Sequence, residues 1–319
     1  LKEINNEKRT VSNIISLAEG RRTFGANSEL YNNARPDYPQ RVYEVLREHG
    51  AVQEETRVFE IGAGTGQATE PLLALGCKIT AIEPDSRLAA TLGKRLNHYG
   101  SSLTVMQYPF EDSLLPSASF DLGIAAMAFH WLQPDTALTR VFRLLRPGGW
   151  WAMWWTVFGD PADMDPFQRH TQALFHPLSL SPSHAAGSSQ PFALDKDLRM
   201  AELRSAGFKN VVYEEIRWSP TLTTKQIVAL TATFSPVALL PEEERTRFLS
   251  EIGRIADEEF GGLCNGTLSR QFTSPVSQNE IKGGNMVAFM SNDRYLKGFT
   301  GNEYRYPEIA RPSKTCNDE

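Results

Sequence analysis

From residue 57 onward the chain alternates short apolar runs with stretches whose apolar residues recur every three to four positions. The runs at 57–61, 78–82, 103–107, 120–126 and 149–158 predict strands, and the intervening 67–75, 86–98 and 134–145 predict helices. The runs are apolar almost throughout rather than every second residue. That is the mark of strands buried on both faces, so the pattern predicts an α/β fold with a parallel sheet between helical layers. Upstream, residues 39–49 carry Val42, Val45 and Leu46 at helical spacing behind a proline suited to a first turn.

Past residue 158 the rhythm breaks. Residues 159–194 hold several Pro, Ser and His residues, show little periodicity, and are too long for an ordinary connection. In an open α/β sheet, insertions at the carboxyl ends of strands build substrate pockets. A helix at 198–205 and a strand at 211–218 resume the fold, and helices at 224–233 and 242–258 extend the cover. The last, antiparallel strand is expected at 268–273. Three segments follow: residues 1–22 as a leader or lid, 23–277 as the main domain with cover insertions at 159–194 and 222–260, and 278–319 as a polar tail, solvated or else docked on a neighbouring subunit.

The chemistry concentrates at the first strand's end. Residues 58–66, Val-Phe-Glu-Ile-Gly-Ala-Gly-Thr-Gly, read as a buried strand entering a glycine turn before a helix, and the next strand ends in Glu83-Pro84-Asp85. Such a turn lets backbone approach a nucleoside, and Glu83 is placed to accept hydrogen bonds from ribose hydroxyls. A dinucleotide turn needs glycine at its first, third and sixth positions; here Gly62 and Gly64 fill the first two, the sixth is Gln67, and the third glycine comes early at Gly66. Glu60, just before the turn, would repel a pyrophosphate and favour an ammonium group. S-adenosylmethionine carries ribose, adenine and an amino acid end without phosphate, so the turn favours that donor over NAD.

The segment Glu60-Ile61-Gly62-Ala63-Gly64-Thr65-Gly66 resembles motif I of the class I S-adenosylmethionine-dependent methyltransferases. Phe110-Glu111-Asp112, Ser119-Phe120-Asp121-Leu122, Phe129-His130-Trp131-Leu132 and Leu144-Leu145-Arg146-Pro147-Gly148-Gly149 follow in the order of that superfamily's small-molecule branch, which includes ubiquinone/menaquinone and trans-aconitate methyltransferases. Tyr31 to Pro39 resembles the segment such enzymes place over the donor. The resemblance spans roughly residues 23 to 275. It implies a Rossmann-like, seven-stranded, mostly parallel sheet with helices on both faces and a helical cover. It also implies a donor site of Tyr31 and Arg35 at the methionine carboxylate, Glu60 near the amino group, Gly62, Ala63, Gly64 and Gly66 beneath the ligand, and Glu83 with Pro84 at the ribose. Phe110, Glu111 and Asp112 would lie at the adenine, with either carboxylate as acceptor, and Ala126 and Met127 along the methionine arm. His130 is a candidate general base, or else a pocket wall.

Composition trims the alternatives. A net charge of −5 leaves no basic footprint for nucleic acid. Cys77, Cys264 and Cys316 are odd in number and far apart, giving neither a disulfide framework nor a zinc spacing, and a cytoplasmic location is expected. Residues 1–10 lack the apolar stretch of a secretory signal, and no run approaches the roughly 20 residues of a membrane span. His170, His176 and His184 do not match a metal-binding helix, so no metal is expected. Tryptophans 131, 150, 151, 154 and 155 are expected in the core and pocket walls. Phe167, Phe175, Phe192, Phe234 and Leu239 point to a partly hydrophobic small-molecule acceptor methylated at oxygen, nitrogen or carbon. An NAD-dependent oxidoreductase and a non-catalytic S-adenosylmethionine-binding protein are the alternatives on the same sheet; Gln67 at the sixth position argues against the first, and the intact glycines and Glu83 against the second.

Overall fold

The computed structural model describes residues 14–17, 28–158, 164–181, 183, 191–218, 222–261 and 283–291. In chain order the elements are α1 (Ser28–Ala34), α2 (Gln40–Glu48), β1 (Arg57–Ile61), α3 (Thr69–Ala74), β2 (Lys78–Ile82), α4 (Ser86–Arg95), β3 (Leu103–Met106) and β4 (Phe120–Ala126). They continue with α5 (Pro134–Leu144), β5 (Leu145–Phe158), α6 (Pro166–Phe175), α7 (Lys196–Ser205), β6 (Lys209–Trp218), α8 (Thr224–Ala232), α9 (Ser235–Ala238), α10 (Glu242–Phe260) and β7 (Gly283–Ser291). The sheet has seven strands in the order β3-β2-β1-β4-β5-β7-β6. β3, β2, β1, β4 and β5 pair in parallel, and β7 runs antiparallel to both β5 and β6.

The apolar runs fill both faces, as continuous hydrophobicity requires. Along β5, Ala152 and Trp154 join one core with Val42, Leu46, Leu72 and Leu92 of α2, α3 and α4. Trp151, Met153 and Trp155 join the other with Leu138, Val141 and Leu203 of α5 and α7. In that second core the Phe59 ring lies over Gly123, where an added Cβ would come within 2.2 Å of the ring. Phe59 also stacks with Phe110 and Trp151 at 6.2 and 6.1 Å. A third cluster, with Phe167, Ile227, Leu230, Ile252 and Ile255, unites α6, α8 and α10 into the cover above the strands' carboxyl ends.

Two expectations change. The antiparallel strand is β7, inside the segment read as a polar tail; residues 268–273 lie outside the described residues. The run Met286-Val287-Ala288-Phe289-Met290 is apolar, but its Gly-Gly-Asn and Ser-Asn flanks give it the look of a solvated segment. Nine-residue pairing with β5 outweighs those flanks. The insertion, read as aperiodic, contains α6. Its start is built by a capping box in which Asp165 accepts from the Gln168 amide while Gln168 accepts from the Asp165 amide, with Pro166 at the first helical position. From the expected leader, Ile15 is buried and donates its amide to the Leu180 carbonyl at 3.0 Å.

Candidate functional site

β1 and β2 lie side by side in the sheet, so their carboxyl ends deliver the glycine turn and Glu83 to one place. Gly62 and Ala63 donate their amides to the Ile82 carbonyl at 2.9 and 3.2 Å, tying the turn to β2. Gly64 has φ +59°, a left-handed conformation that a side chain disfavours. Its Cβ position is open except for the Tyr31 ring at 3.9 Å. Gly66 serves packing instead. A Cβ there would press to 2.9 Å from Leu96, so this glycine seats the turn against the α4 side. Close helix packing is thus met without a sixth-position glycine.

Two carboxyls sit behind the turn. Glu83 accepts from the Gly64 amide at 2.8 Å and from the Asp85 amide at 2.9 Å. Burial nevertheless pushes its pKa up to about 7. Asp85 caps α4, accepting from the Arg87 and Leu88 amides, which fixes the chain direction after Pro84. Glu60 is buried rather than open to the site, accepts from the Thr69 hydroxyl at 2.7 Å, and is pushed up to about 8 by burial and the nearby Glu83. The expected ionised carboxylate facing a ligand is therefore, in this state, a carboxyl held largely neutral beneath the turn.

Opposite, α1 and the chain after it place Tyr31 and Arg35. The guanidinium lies between the Tyr31 and Phe234 rings, 5.2 and 5.5 Å from their centroids, and donates to the Thr233 carbonyl at 3.3 Å. Its Nε is buried without a hydrogen-bond partner. Such an orphaned donor fits an arriving carboxylate. At the end of β4, Ala126 is buried and Met127 adopts φ +55°, an unusual conformation for a side-chain-bearing residue and one that clusters at functional sites. Met127 is pinned there: its amide donates to the Trp154 carbonyl, and its sulfur lies 2.9 Å from the Thr156 amide.

The turn Phe110–Asp112 follows β3 as expected, with Glu111 and Asp112 exposed. Phe110 itself is a core residue, packed on Phe59 with Arg140 over its ring, so its side chain is not available to a ligand. Sequence reasoning missed Ser113, fully buried beside this turn with an unpartnered hydroxyl; nothing in the surrounding pattern marks it.

His130 lies in the cavity wall, at the end of β4. The Trp155 indole N–H donates to His130 Nδ1 at 3.0 Å in a buried setting. Indole only donates, so Nδ1 must be the unprotonated nitrogen and Nε2 must carry the proton. His130 Nδ1 is thus occupied by the Trp155 indole, and the residue forms part of the cavity wall.

These residues border a cavity of about 500 Å³ lying between the strand ends and the α6–α8–α10 cover. Tyr31, Arg35, Met127 and Thr156 line it and also line a small adjoining space of about 20 Å³ that reaches Tyr38 and Gln67 of the turn. Trp155 and Trp131 form part of the cavity wall, while Trp151 and Trp154 are core. Of the three histidines, His170 is bonded to the Pro166 carbonyl, His176 lines the cavity, and His184 lies outside the described residues. Among the described residues no helix is long and apolar enough to cross a membrane.

The methyltransferase domain family matches residues 59–153, from β1 into β5. An uncharacterized methyltransferase of Mycobacterium bovis is 32% identical over 235 residues, covering 73% of this chain and 85% of the relative. The chain belongs to the class I S-adenosylmethionine-dependent methyltransferases. An uncharacterized methyltransferase-like protein of Schizosaccharomyces pombe is 26% identical over 238 residues, 74% of this chain and 86% of the relative. Among solved structures, the Haemonchus contortus phosphoethanolamine N-methyltransferase 2 in complex with phosphomonomethylethanolamine and S-adenosylhomocysteine aligns with TM-score 0.52 at 11% identity, over 88% of this chain and 61% of that one. The [4+2]-cyclase SpnF aligns with TM-score 0.52 at 13% identity, over 89% and 99%. These two likenesses concern the fold, and the cyclase shows that the fold alone does not fix the reaction. Membership of the methyltransferase family is what sets the oxidoreductase alternative aside, and S-adenosylmethionine is the cofactor.

Proposed function

We propose that this methyltransferase acts on an oxygen, nitrogen or carbon nucleophile of a small organic molecule held in the cavity beside Met127. The observation that carries this reading is the shared wall: Tyr31, Arg35, Met127 and Thr156 border both the large cavity and the small space leading to the glycine turn. When bound, S-adenosylmethionine would supply a methyl group, the bond to sulfur breaking with its electron pair kept by sulfur while an electron pair of the acceptor atom forms the new bond and any acceptor proton is lost to bulk solvent.

The chain's own residues bind and orient. The backbone of Gly62, Ala63, Gly64 and Gly66 would lie beneath the donor, with Glu83 and Pro84 at the ribose and the turn carrying Glu111 and Asp112 at the adenine. Arg35, with its orphaned Nε, and Tyr31 would hold the methionine carboxylate, and Glu60 would ionise beneath the turn in answer to the ammonium group. Ala126 and the pinned Met127 would guide the methionine arm toward the cavity. Fixing nucleophile and methyl carbon in line would contribute up to about 7–11 kcal/mol to barrier lowering. The net charge of −5 argues against a nucleic acid acceptor, and the scattered, odd-numbered cysteines support a cytoplasmic setting. Incubating the protein with isotopically labelled S-adenosylmethionine and a metabolite extract tests the reading. Label should enter small molecules; label entering only RNA or protein would refute it.

A further inference from the structure

The cavity wall specifies the chemistry of the acceptor, an inference that rests on assigning Arg35 to the donor. Phe167, Phe175, Ile227, Leu230 and Ile252 supply its far walls from α6, α8 and α10. Several polar side chains of the lining are tied to their own helix or turn. Thr171 donates to the Phe167 carbonyl at 2.9 Å, Gln168 accepts from the Asp165 amide at 3.0 Å, and Ser183 donates to the Ser181 hydroxyl at 3.0 Å. Among the described lining residues Arg35 is the sole one with a permanent charge; none is Asp, Glu or Lys. Polar side chains are spread along the walls, with Gln172, His176 and Ser179 on and after α6, Thr231 on α8, Ser235 on α9, and His130 and Thr156 at the carboxyl ends of β4 and β5.

We infer that the acceptor is a lipophile without ionised groups: an apolar chain or ring system lodged in the α6–α8–α10 chamber. A polycarboxylate would need further cations there, and an ammonium group would need a carboxylate. A volume of about 500 Å³ matches a ligand of ordinary small-molecule size.

The test uses 4-butyl-, 4-hexyl- and 4-octylphenol as probes, titrated against the full chain with and without saturating S-adenosylhomocysteine, with citrate as the multiply charged comparison. Fluorescence of Trp131 and Trp155, both in the wall, reports binding. Affinity should rise about threefold to fourfold per added methylene, and citrate should bind far more weakly than 4-octylphenol. Leu230→Asp should weaken 4-octylphenol at least tenfold while leaving S-adenosylhomocysteine affinity within about twofold; because the alkyl series is measured on the unaltered protein, the inference stands or falls even if that variant does not fold. Affinity independent of chain length, or citrate binding tighter than 4-octylphenol, would overturn it. Loss of S-adenosylhomocysteine binding with the alkyl series intact would instead remove the donor reading and leave the chamber's assignment in place.

Discussion

Donor binding should be coupled to proton release at Glu83. Burial raises this carboxyl to about 7, although the Gly64 and Asp85 amides favour its ionised form. Ribose hydroxyls donate, so the bound state needs the carboxylate and would return the group to the ordinary range below about 5. In the free protein about a tenth of Glu83 is ionised at about pH 6 and about nine tenths at about pH 8. Ionisation of Glu83 alone should therefore tighten S-adenosylhomocysteine affinity about tenfold across that window and release close to one proton per ligand at its acid end. Glu60, raised to about 8, adds to the same slope if the donor's ammonium ionises it. Folding follows the opposite sign. Between the ordinary carboxylate pKa and about 7 the folded state holds a proton that the unfolded state has lost, so stability of the free protein falls as pH rises through that interval, by on the order of 3 kcal/mol for Glu83. Calorimetry in two buffers of different ionisation enthalpy, at several pH values, counts the protons directly. Glu83→Gln should lose most of the affinity and Glu83's share of the pH slope, leaving only the share of Glu60. Affinity that is flat with pH, or a slope in Glu83→Gln as steep as in the wild type, would refute the reasoning.

Three further outcomes follow from the geometry. Gly123→Ala places a Cβ against the Phe59 ring, so thermal unfolding should show a loss of about 1–3 kcal/mol, an effect that Phe59→Leu in the same chain partly relieves. His130→Asn keeps an acceptor for the Trp155 indole; activity should fall less than about tenfold with an unchanged pH profile, whereas a loss of about 10²–10⁴ with disappearance of a limb near about pH 6.5 would assign it the general-base role. Gly64→Arg should abolish S-adenosylhomocysteine binding in calorimetry while circular dichroism stays native, because its side chain would project from the turn toward Tyr31.

The parallel half of the sheet was legible because each strand is buried on both faces and so writes its burial continuously into the sequence. The glycine turn and Glu83 were legible because adjacent strand ends are fixed by topology. What escaped were features settled by distant partners. β7 gains its place from pairing with β5 and β6, which outweighs Gly and Asn flanks. α6 was signalled by the Asp165-Pro166-Phe167-Gln168 cap, though periodicity alone hid it. The tautomer of His130 depends on Trp155, 25 residues away, and no local pattern encodes it. Glu60 looked like a charge facing a ligand, because its burial under the turn and its bond to Thr69 appear only once α3 packs back on β1.

The central claim is that the turn from Gly62 to Gly66, with Glu83, holds the methyl donor beside the cavity. Calorimetric titration of the wild-type chain with S-adenosylhomocysteine, set against Glu83→Ala, tests it most directly. Saturable binding at one site per chain, weakened at least tenfold in the variant, is the predicted result. Absence of binding in the wild type, or equal affinity in the two proteins, would contradict it.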